Sequence, residues 1–432
     1  MTSALTRQFT YNDLPFTAYQ WELLTRSRSI ALALGMRIYL VGGVIRDYLL
    51  GNSTVPNDID LVSVGGSALL IARQLRQLYP QFHYTEHPKF HTAELSCAEF
   101  TIDLASARRE VYAYPSANPQ VELCDLETDL YRRDFTVNAL AVELLDRGGT
   151  GALIDLYDGL GDLTKKQIKP IRAGSFAEDP RRIFRAVRLG CKCGLHLSPA
   201  TRAEIMELCA SGLHDRLGGS RLKAELIYIL QMANHRLMCR TIADLTELGA
   251  WRLVDPQWHM SHNLSLEFRR LSRWHRWFAG PSCKLWQMGL ELWLRDVDPE
   301  ALAKLHLSPT QIQRITALHK LLNTLPNLGS KPSSIVDRLQ REDIATVILA
   351  GAVTGDRNLW HYLTKLRTVK PLLSAGELQA LGYPKGKLLG QLLNRLLNAT
   401  LDGEIHSKTQ AIELAQQYWP KLLLKDSCSP WG

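Results

Sequence analysis

The sequence predicts an α+β protein: an N-terminal palm built on a small mixed sheet with helices, followed by an all-helical remainder. Three observations predict it. Two strand-like runs, Arg37 to Val41 and Asp58 to Val64, lie in the first third and are separated by a glycine turn and a short helical stretch. After about Pro170 strand signals fade, and helical periodicity runs to the C-terminus. Turn signals such as Gly382 to Pro384 punctuate those helices, without an internal repeat or a low-complexity tract.

Size and charge narrow the classes. A chain of 432 residues exceeds one ordinary core and leads us to expect about two to four domains. Its 46% hydrophobic content is that of a globular protein. No charge-free apolar run reaches the roughly 18 residues of a membrane span, and the N-terminus lacks an apolar signal core, so a cytoplasmic location is expected. Eight cysteines without a Cys-x-x-Cys pair fit a reduced protein with no cysteine metal site. The net charge of +8 favours a polyanionic partner.

Taken in order, the elements carry chemistry. The strand Arg37 to Val41 runs into Gly42-Gly43, where missing side chains let backbone N–H groups approach phosphate oxygens. The short helix Ile45 to Leu50 follows, and Arg46 offers a fork for a triphosphate. In the strand Asp58 to Val64 alternate residues share a face, so Asp58 and Asp60 converge on a divalent cation. Ser67 to Leu78 has helical periodicity. Thr92 to Ala98 and Glu99 to Ala105 read as a hairpin whose second strand returns a third carboxylate, Asp103, to the same sheet. Glu110 to Asp125 holds two prolines and no clear period, which predicts a long loop of the kind that is often functional.

Arg132-Arg133-Asp134-Phe135-Thr136-Val137-Asn138 places two arginines, an acid and an amide together, a set suited to a ribose and its phosphates. Asp134 is an acceptor for a 2′-hydroxyl, while Phe135 and Val137 are available for packing. Asp155, Asp158 and Asp162 read as caps and hinge contacts. In Glu178-Asp179-Pro180-Arg181-Arg182-Ile-Phe-Arg185-Ala-Val-Arg188 the proline suits a first turn, so a helix is expected to begin near Glu178 or Asp179. Positions 179, 182, 185 and 188 then form one stripe. Cytosine and adenine each present an exocyclic amine beside a ring-nitrogen acceptor. Asp179 can accept from the amine while Arg182 donates to the ring nitrogen; uracil and guanine reverse the pattern and leave buried charges unpaired. Such a stripe reads C and A without a template. The basic, Trp-rich stretch from Trp251 to Trp293 reads as a helical core with snorkelling arginines, with stacking on RNA as its alternative.

These motifs resemble those of the class II tRNA nucleotidyltransferase (CCA-adding enzyme) and bacterial poly(A) polymerase family. The resemblance rests on Leu40-Val-Gly-Gly-Val-Ile-Arg-Asp47 with Asp58-Ile-Asp60, on Arg132 to Ala139, on Asp155 to Leu163, and on Glu178 to Arg182. Ser220 to Leu226, Leu381 to Gly386 and Asp402-Gly-Glu extend it over nearly the whole chain. It implies a nucleotidyltransferase head over residues 1–165, a base-reading neck over 166–245, and a helical body and tail over 246–365 and 366–432 that bind tRNA. It implies Mg²⁺-dependent transfer of CMP and AMP from CTP and ATP to the tRNA 3′ end, with release of pyrophosphate. Asp58 and Asp60 would bind Mg²⁺, with Asp103 as a further ligand or base. Gly43, Arg46, Arg133, Asp179, Arg182, Arg185 and Arg188 would bind the nucleotide. No membrane or protein partner is implied.

Two departures keep other readings open. Family poly(A) polymerases carry a Gly-Arg-Arg-Phe segment ahead of the third carboxylate, where this chain has Pro88-Lys-Phe-His-Thr-Ala93, so polyadenylation is the weaker reading. The stretch from Glu110 to Leu130, where CC-adding members differ from full CCA-adding ones, is somewhat short, which leaves CC-only addition as an alternative. A catalytically inactive RNA-binding protein would keep the basic body but lose the carboxylates at 58, 60 and 103.

Overall fold

The computed structural model describes the chain except for residues 1–7, 11–13, 112–119, 146–148, 213–218, 233, 259–260, 279–282, 328, 330 and 428–432. It divides into two compact units, residues 1–258 with 298–306 and residues 259–297 with 307–432.

In the first unit, β1 (Gln8–Thr10) and α1 (Ala18–Ala33) precede β2 (Arg37–Val41), α2 (Gly43–Leu49), β3 (Asp58–Val64) and α3 (Ala68–Leu78). Then come β4 (His83–His87), β5 (Thr92–Ser96), β6 (Thr101–Ser106), β7 (Arg108–Val111), β8 (Gln120–Leu123), α4 (Leu126–Tyr131), β9 (Leu140–Glu143), β10 (Thr150–Asp155) and α5 (Gly159–Thr164). Eight of these strands form one sheet in the order β1-β10-β9-β2-β3-β6-β5-β4. Every neighbouring pair is antiparallel except β3 and β6, whose parallel register sets Asp60 opposite Asp103. The sheet is thus mixed, as the sequence predicts.

Local signals explain where the helices start. Thr17 and Gln20 cap α1 reciprocally, Ser67 caps α3, and Asp125 caps α4 through the Thr128 N–H at 2.8 Å. Helices α1 and α3 lie against the sheet. On β3, Ile59 and Leu61 are buried on one face, which leaves Asp58 and Asp60 to the other.

Beyond the sheet follow β11 (Gln167–Ile168), α6 (Ser175–Glu178), α7 (Arg181–Cys193), β12 (His196–Leu197), α8 (Pro199–Ala210), α9 (Gly219–Leu230) and α10 (His235–Glu247). β11 pairs in parallel with β12. Helix α7 buries Ile183, Phe184, Ala186, Val187 and Gly190. The ring of Phe184 meets Trp251, which in turn meets Trp258, with centroids 5.9 and 5.5 Å apart.

The second unit contains α11 (Leu264–Phe278) and α12 (Leu285–Trp293), whereas α13 (Pro299–Lys304) belongs to the first. It continues through α14 (Pro309–Thr324), α15 (Pro332–Leu339), α16 (Ile344–Thr354), α17 (Arg357–Thr364), α18 (Ala375–Ala380), α19 (Lys387–Leu401) and α20 (Lys408–Ser427). Helix α16 (Ile-Ala-Thr-Val-Ile-Leu-Ala-Gly-Ala-Val-Thr) is apolar nearly all round and is accordingly a core helix. Its Gly351 has no room for a side chain, since a Cβ there would sit 1.7 Å from the Trp274 ring. Trp274 and Trp293 are buried, but Trp277 is 71% exposed. The stretch is therefore mainly core with one aromatic outside it. Among the described residues no helix is long and apolar enough to cross a membrane.

Two local expectations are corrected. The stretch after Glu110 is not wholly loop: β7 and β8 pair antiparallel, Arg108 with Leu123 through Val111 with Gln120. Cross-strand pairing of Arg109 and Glu122 at 2.5 Å supports the ladder; residues 112–119, which hold the prolines' half of the expected loop, lie outside the described residues. The helix expected from Glu178 or Asp179 is broken instead. Asp179 is extended (φ −140°, ψ 88°) between α6 and α7, because a residue preceding proline is driven out of the helical region.

Candidate active site

Strand β2 ends at Val41 and is followed by Gly42, whose φ of 73° falls where glycine is favoured. Conformation rather than space calls for glycine: a Cβ at Gly42 would stand at ordinary contact distance, 3.5 Å from an Asp60 carboxylate oxygen and 3.6 Å from Arg133 Nη1, so an acid of β3 and an arginine from the segment after α4 lie against this turn.

Around this point a cavity of about 540 Å³ opens, and it is lined by Gly43, Arg46, Asp60, Asp103, Arg133, Asp134, Asp179, Arg182 and Arg185. These are nine of the residues singled out from the sequence, drawn from β3, β6, α2, α7, the junction of α6 and α7, and the segment between α4 and β9. Two others stand outside it. Asp58 lines a second cavity of about 370 Å³, which shares Gly43, Arg46 and Asp60 with the first. Arg188 turns toward Glu225 on α9, with Nη2 3.2 Å from its carboxylate, and lies over the Tyr228 ring at 5.1 Å.

The acidic wall is electrostatically strained. Burial raises Asp60 above the ordinary carboxylate range; Arg133 opposes this, and Asp58 adds to it. Asp103 is pushed up to about 6 by burial, then by Asp60, Glu94 and Asp58. Among the described residues no three His, Cys, Asp or Glu side chains close up into a ready-made metal site. What β3 and β6 present is an open set of hard oxygen donors that repel one another. That fits a divalent cation held by one or two carboxylates and completed by substrate phosphates.

The basic wall is held by a polar network. Arg46 is 6% exposed; it donates to Asp47 through Nε at 2.7 Å and to Asn138 Oδ1 through Nη1 at 2.6 Å. Asn138 donates to Asp134 at 3.0 Å. Asp134 accepts from Arg185 at 2.9 and 2.7 Å and from the Phe135 N–H at 2.9 Å. Burial alone would raise Asp134, but Arg185 and the Asn138 hydrogen bond outweigh it and hold the carboxyl below its usual range. Both Asp134 oxygens are thus engaged, so its part at a ribose would be played from within this network.

Asp129 is fully buried. It accepts from Arg132 at 2.7 and 3.0 Å, from Arg133 at 3.1 Å and from the Arg108 N–H at 3.2 Å. Asp179 takes a bidentate hydrogen bond from Arg181 at 2.6 and 2.5 Å, while Arg182 donates to Ser175 and, at 3.3 Å, to the Arg132 carbonyl. Asp155 caps α5 through the Gly159 and Leu160 N–H groups, each at 2.8 Å. Sequence reasoning assigned no role to Asp129, Ser175 or Arg181. The three- and four-residue spacing from Asp129 to Arg132 and Arg133 was the available signal for the first.

A mixed sheet that carries paired carboxylates across a cavity from a row of arginines is the architecture of a nucleotidyltransferase head. Comparison with known proteins agrees: residues 38–169 match the poly A polymerase head domain. The chain is 30% identical over 404 residues to the A-adding tRNA nucleotidyltransferase of Geobacter sulfurreducens, covering 88% of this chain and 45% of that protein. It is 37% identical over 177 residues to the CC-adding tRNA nucleotidyltransferase of Deinococcus radiodurans, covering 40% of this chain and 45% of that one. The chain thus spans under half the length of both curated relatives. Its fold matches the Thermotoga maritima CCA-adding enzyme complexed with tRNA at a TM-score of 0.73 and 25% identity, over 95% of this chain and 98% of that one. Residues 38–169 thus carry the head domain of the poly A polymerase family, and the chain is similar to tRNA nucleotidyltransferases along most of its length.

Proposed function

We propose that this protein is a template-independent tRNA nucleotidyltransferase of the cytoplasm that adds CMP and AMP from CTP and ATP to the tRNA 3′ end and releases pyrophosphate. The observation that carries the reading is the cavity that Asp60 and Asp103 line together with Arg46 and Arg133 and with Asp179 and Arg182. The two ends of a nucleoside triphosphate need those two kinds of group.

Phosphoryl and nucleotidyl transfer depend on positioning and charge neutralisation more than on covalent help. Arg46 and Arg133 grip the triphosphate against the glycine turn, and Asp134 and Arg185 border the sugar. Asp179 accepts from the exocyclic amine of cytosine or adenine, and Arg182 donates to the adjacent ring nitrogen. Arg181, now on Asp179, holds the carboxylate ready, since each oxygen can accept more than one hydrogen bond. Asp58 and Asp60 would hold Mg²⁺, with Asp103 beside them as ligand or base. When bound, such a cation lowers the pKa of the attacking 3′-hydroxyl and offsets charge on the leaving pyrophosphate.

We assign residues 1–165 to the head, 166–245 to the neck, and 246–365 and 366–432 to a body and tail that hold tRNA by its backbone shape. In support, Arg269, Arg273 and Arg276 lie with Trp277 on one exposed stripe of α11.

The likeness to one A-adding and one CC-adding relative favours a second reading, in which this chain performs only part of the CCA addition. One experiment separates the cases. Purified protein is given tRNA transcripts ending at the discriminator base, at C and at CC, with CTP, ATP or both. Full CCA addition extends all three to CCA. Stopping at CC whatever ATP is supplied identifies a CC-adding enzyme, and extension of the CC transcript alone identifies an A-adding one. Long A tails on any RNA identify a poly(A) polymerase, and no transfer with retained RNA binding overturns the catalytic reading.

A further inference from the structure

The arginine assigned above to the triphosphate, Arg46, and the one assigned to the sugar beside the base-reading pair, Arg185, are joined through Asn138 and Asp134. Arg46 stands on α2 and Arg185 on α7, far apart in sequence, and both line the same cavity. Between them the hydrogen bonds are continuous: Arg46 Nη1 to Asn138 Oδ1 at 2.6 Å, Asn138 Nδ2 to Asp134 Oδ1 at 3.0 Å, and Arg185 to Asp134 Oδ2 at 2.9 and 2.7 Å. A guanidinium can only donate and a carboxylate can only accept. The side chain between them must therefore do both, and in one fixed orientation. Asparagine satisfies this at the length available. Aspartate would keep the bond to Arg46 and repel Asp134, and alanine would break both links.

We propose that Asn138 is a positioning residue that ties Arg46 to Arg185 through Asp134, so that the fit of the base sets the rate of transfer as well as the affinity for the nucleotide. The inference rests on the function proposed above. A base that seats well on the Asp179–Arg182 side leaves Arg185 on Asp134. A base that displaces Arg185 frees an Asp134 oxygen, loosens the amide and lets Arg46 move from the triphosphate. Displacements of about an ångström suffice to slow an in-line reaction about a hundredfold. The network continues beyond Arg185, whose Nη1 lies 3.9 Å from Glu225, the partner of Arg188. Arg185 is thus backed by an acid on α9.

The test is single-turnover transfer by the full-length protein to a tRNA transcript, with whichever of CTP or ATP the wild type uses and its mismatch, UTP or GTP. In Asn138→Asp and Asn138→Ala the maximal rate with the correct nucleotide should fall about tenfold or more, its apparent Kd should stay within about threefold, and discrimination against the mismatch should drop about tenfold. In a cycle with Arg185→Ala, the double variant should be within about twofold of the worse single variant. Unchanged discrimination, a change confined to Kd, or additive losses would overturn the relay. Asn138→Ser, which can still accept from Arg46, replaces the alanine variant if that one does not fold by circular dichroism. A wild type that transfers nothing would refute the proposed function itself. A wild type that transfers, with indifferent Asn138 variants, would refute only the relay.

Discussion

Asp60 and Asp103 face each other across a parallel ladder, and like charges held in that register are relieved either by protons or by a cation. Asp103 carries the measurable consequence. Its folded value of about 6 lies above the ordinary 3.8, so the native state holds more protons than the unfolded chain between those values. Stability from this group is therefore present at low pH and lost as pH rises through about 6. A divalent cation binds the deprotonated form and restores it. Added Mg²⁺ should raise the thermal midpoint more at pH 7 than at pH 5, and Asp103→Asn should level the two gains; equal gains in the wild type would contradict the assignment. In Asp60→Ala, transfer should fall by at least about a hundredfold while tRNA affinity, measured by gel shift, is retained. Neighbours in the sequence made this part of the site legible, because Asp58 and Asp60 announce a shared strand face by spacing alone. The bond from Arg46 to Asn138 spans residues 46 and 138, and no local period encodes a contact of that kind.

At the scale of elements, the strands and helices around the glycine turn follow from period and capping, and they appear within a residue or two of their expected limits. The departures come where prolines hide or break a pattern. Glu110 to Asp125 reads as loop because two prolines interrupt it, yet Arg108 to Val111 pairs with the alternating Gln120 to Leu123, joined by the cross-strand Arg109–Glu122 ion pair. Pro180 misleads in the other direction: it opens α7 as expected, but its ring also expels Asp179 from the helix. That expulsion has a function in the proposed scheme, since it sets the carboxylate at the mouth of the helix on the cavity side. Pro180→Ala should let α6 and α7 fuse and carry Asp179 into a helical turn. Discrimination between CTP and UTP should then weaken about tenfold while global stability changes by less than about 1 kcal/mol, measured by misincorporation and by urea unfolding. Unaltered nucleotide choice would show that the break is only a connection.

For the molecule as a whole, the charge of +8 is not spread evenly among partners. On α11, Arg269, Arg273, Arg276 and Trp277 share one exposed face, and the helix's only acid, Glu267, is buried against Arg295 at 2.7 Å. A phosphate backbone would meet cations there without an opposing carboxylate from the same helix. Arg273→Glu and Trp277→Ala should each weaken tRNA binding, and the first should also flatten the dependence of log Kd on log salt by about one unit per lost phosphate contact; an unchanged slope would remove α11 from the RNA-binding surface. The sheet order has a different consequence, for biosynthesis. Strand β2 sits between β3 and β9, and β1 pairs only with β10. On the ribosome, β2 therefore waits with one edge bare until β9 has emerged from the exit tunnel, and Arg185 must follow before Asp134 is neutralised. The sheet of the head is therefore completed only late in elongation, and the cavity with it.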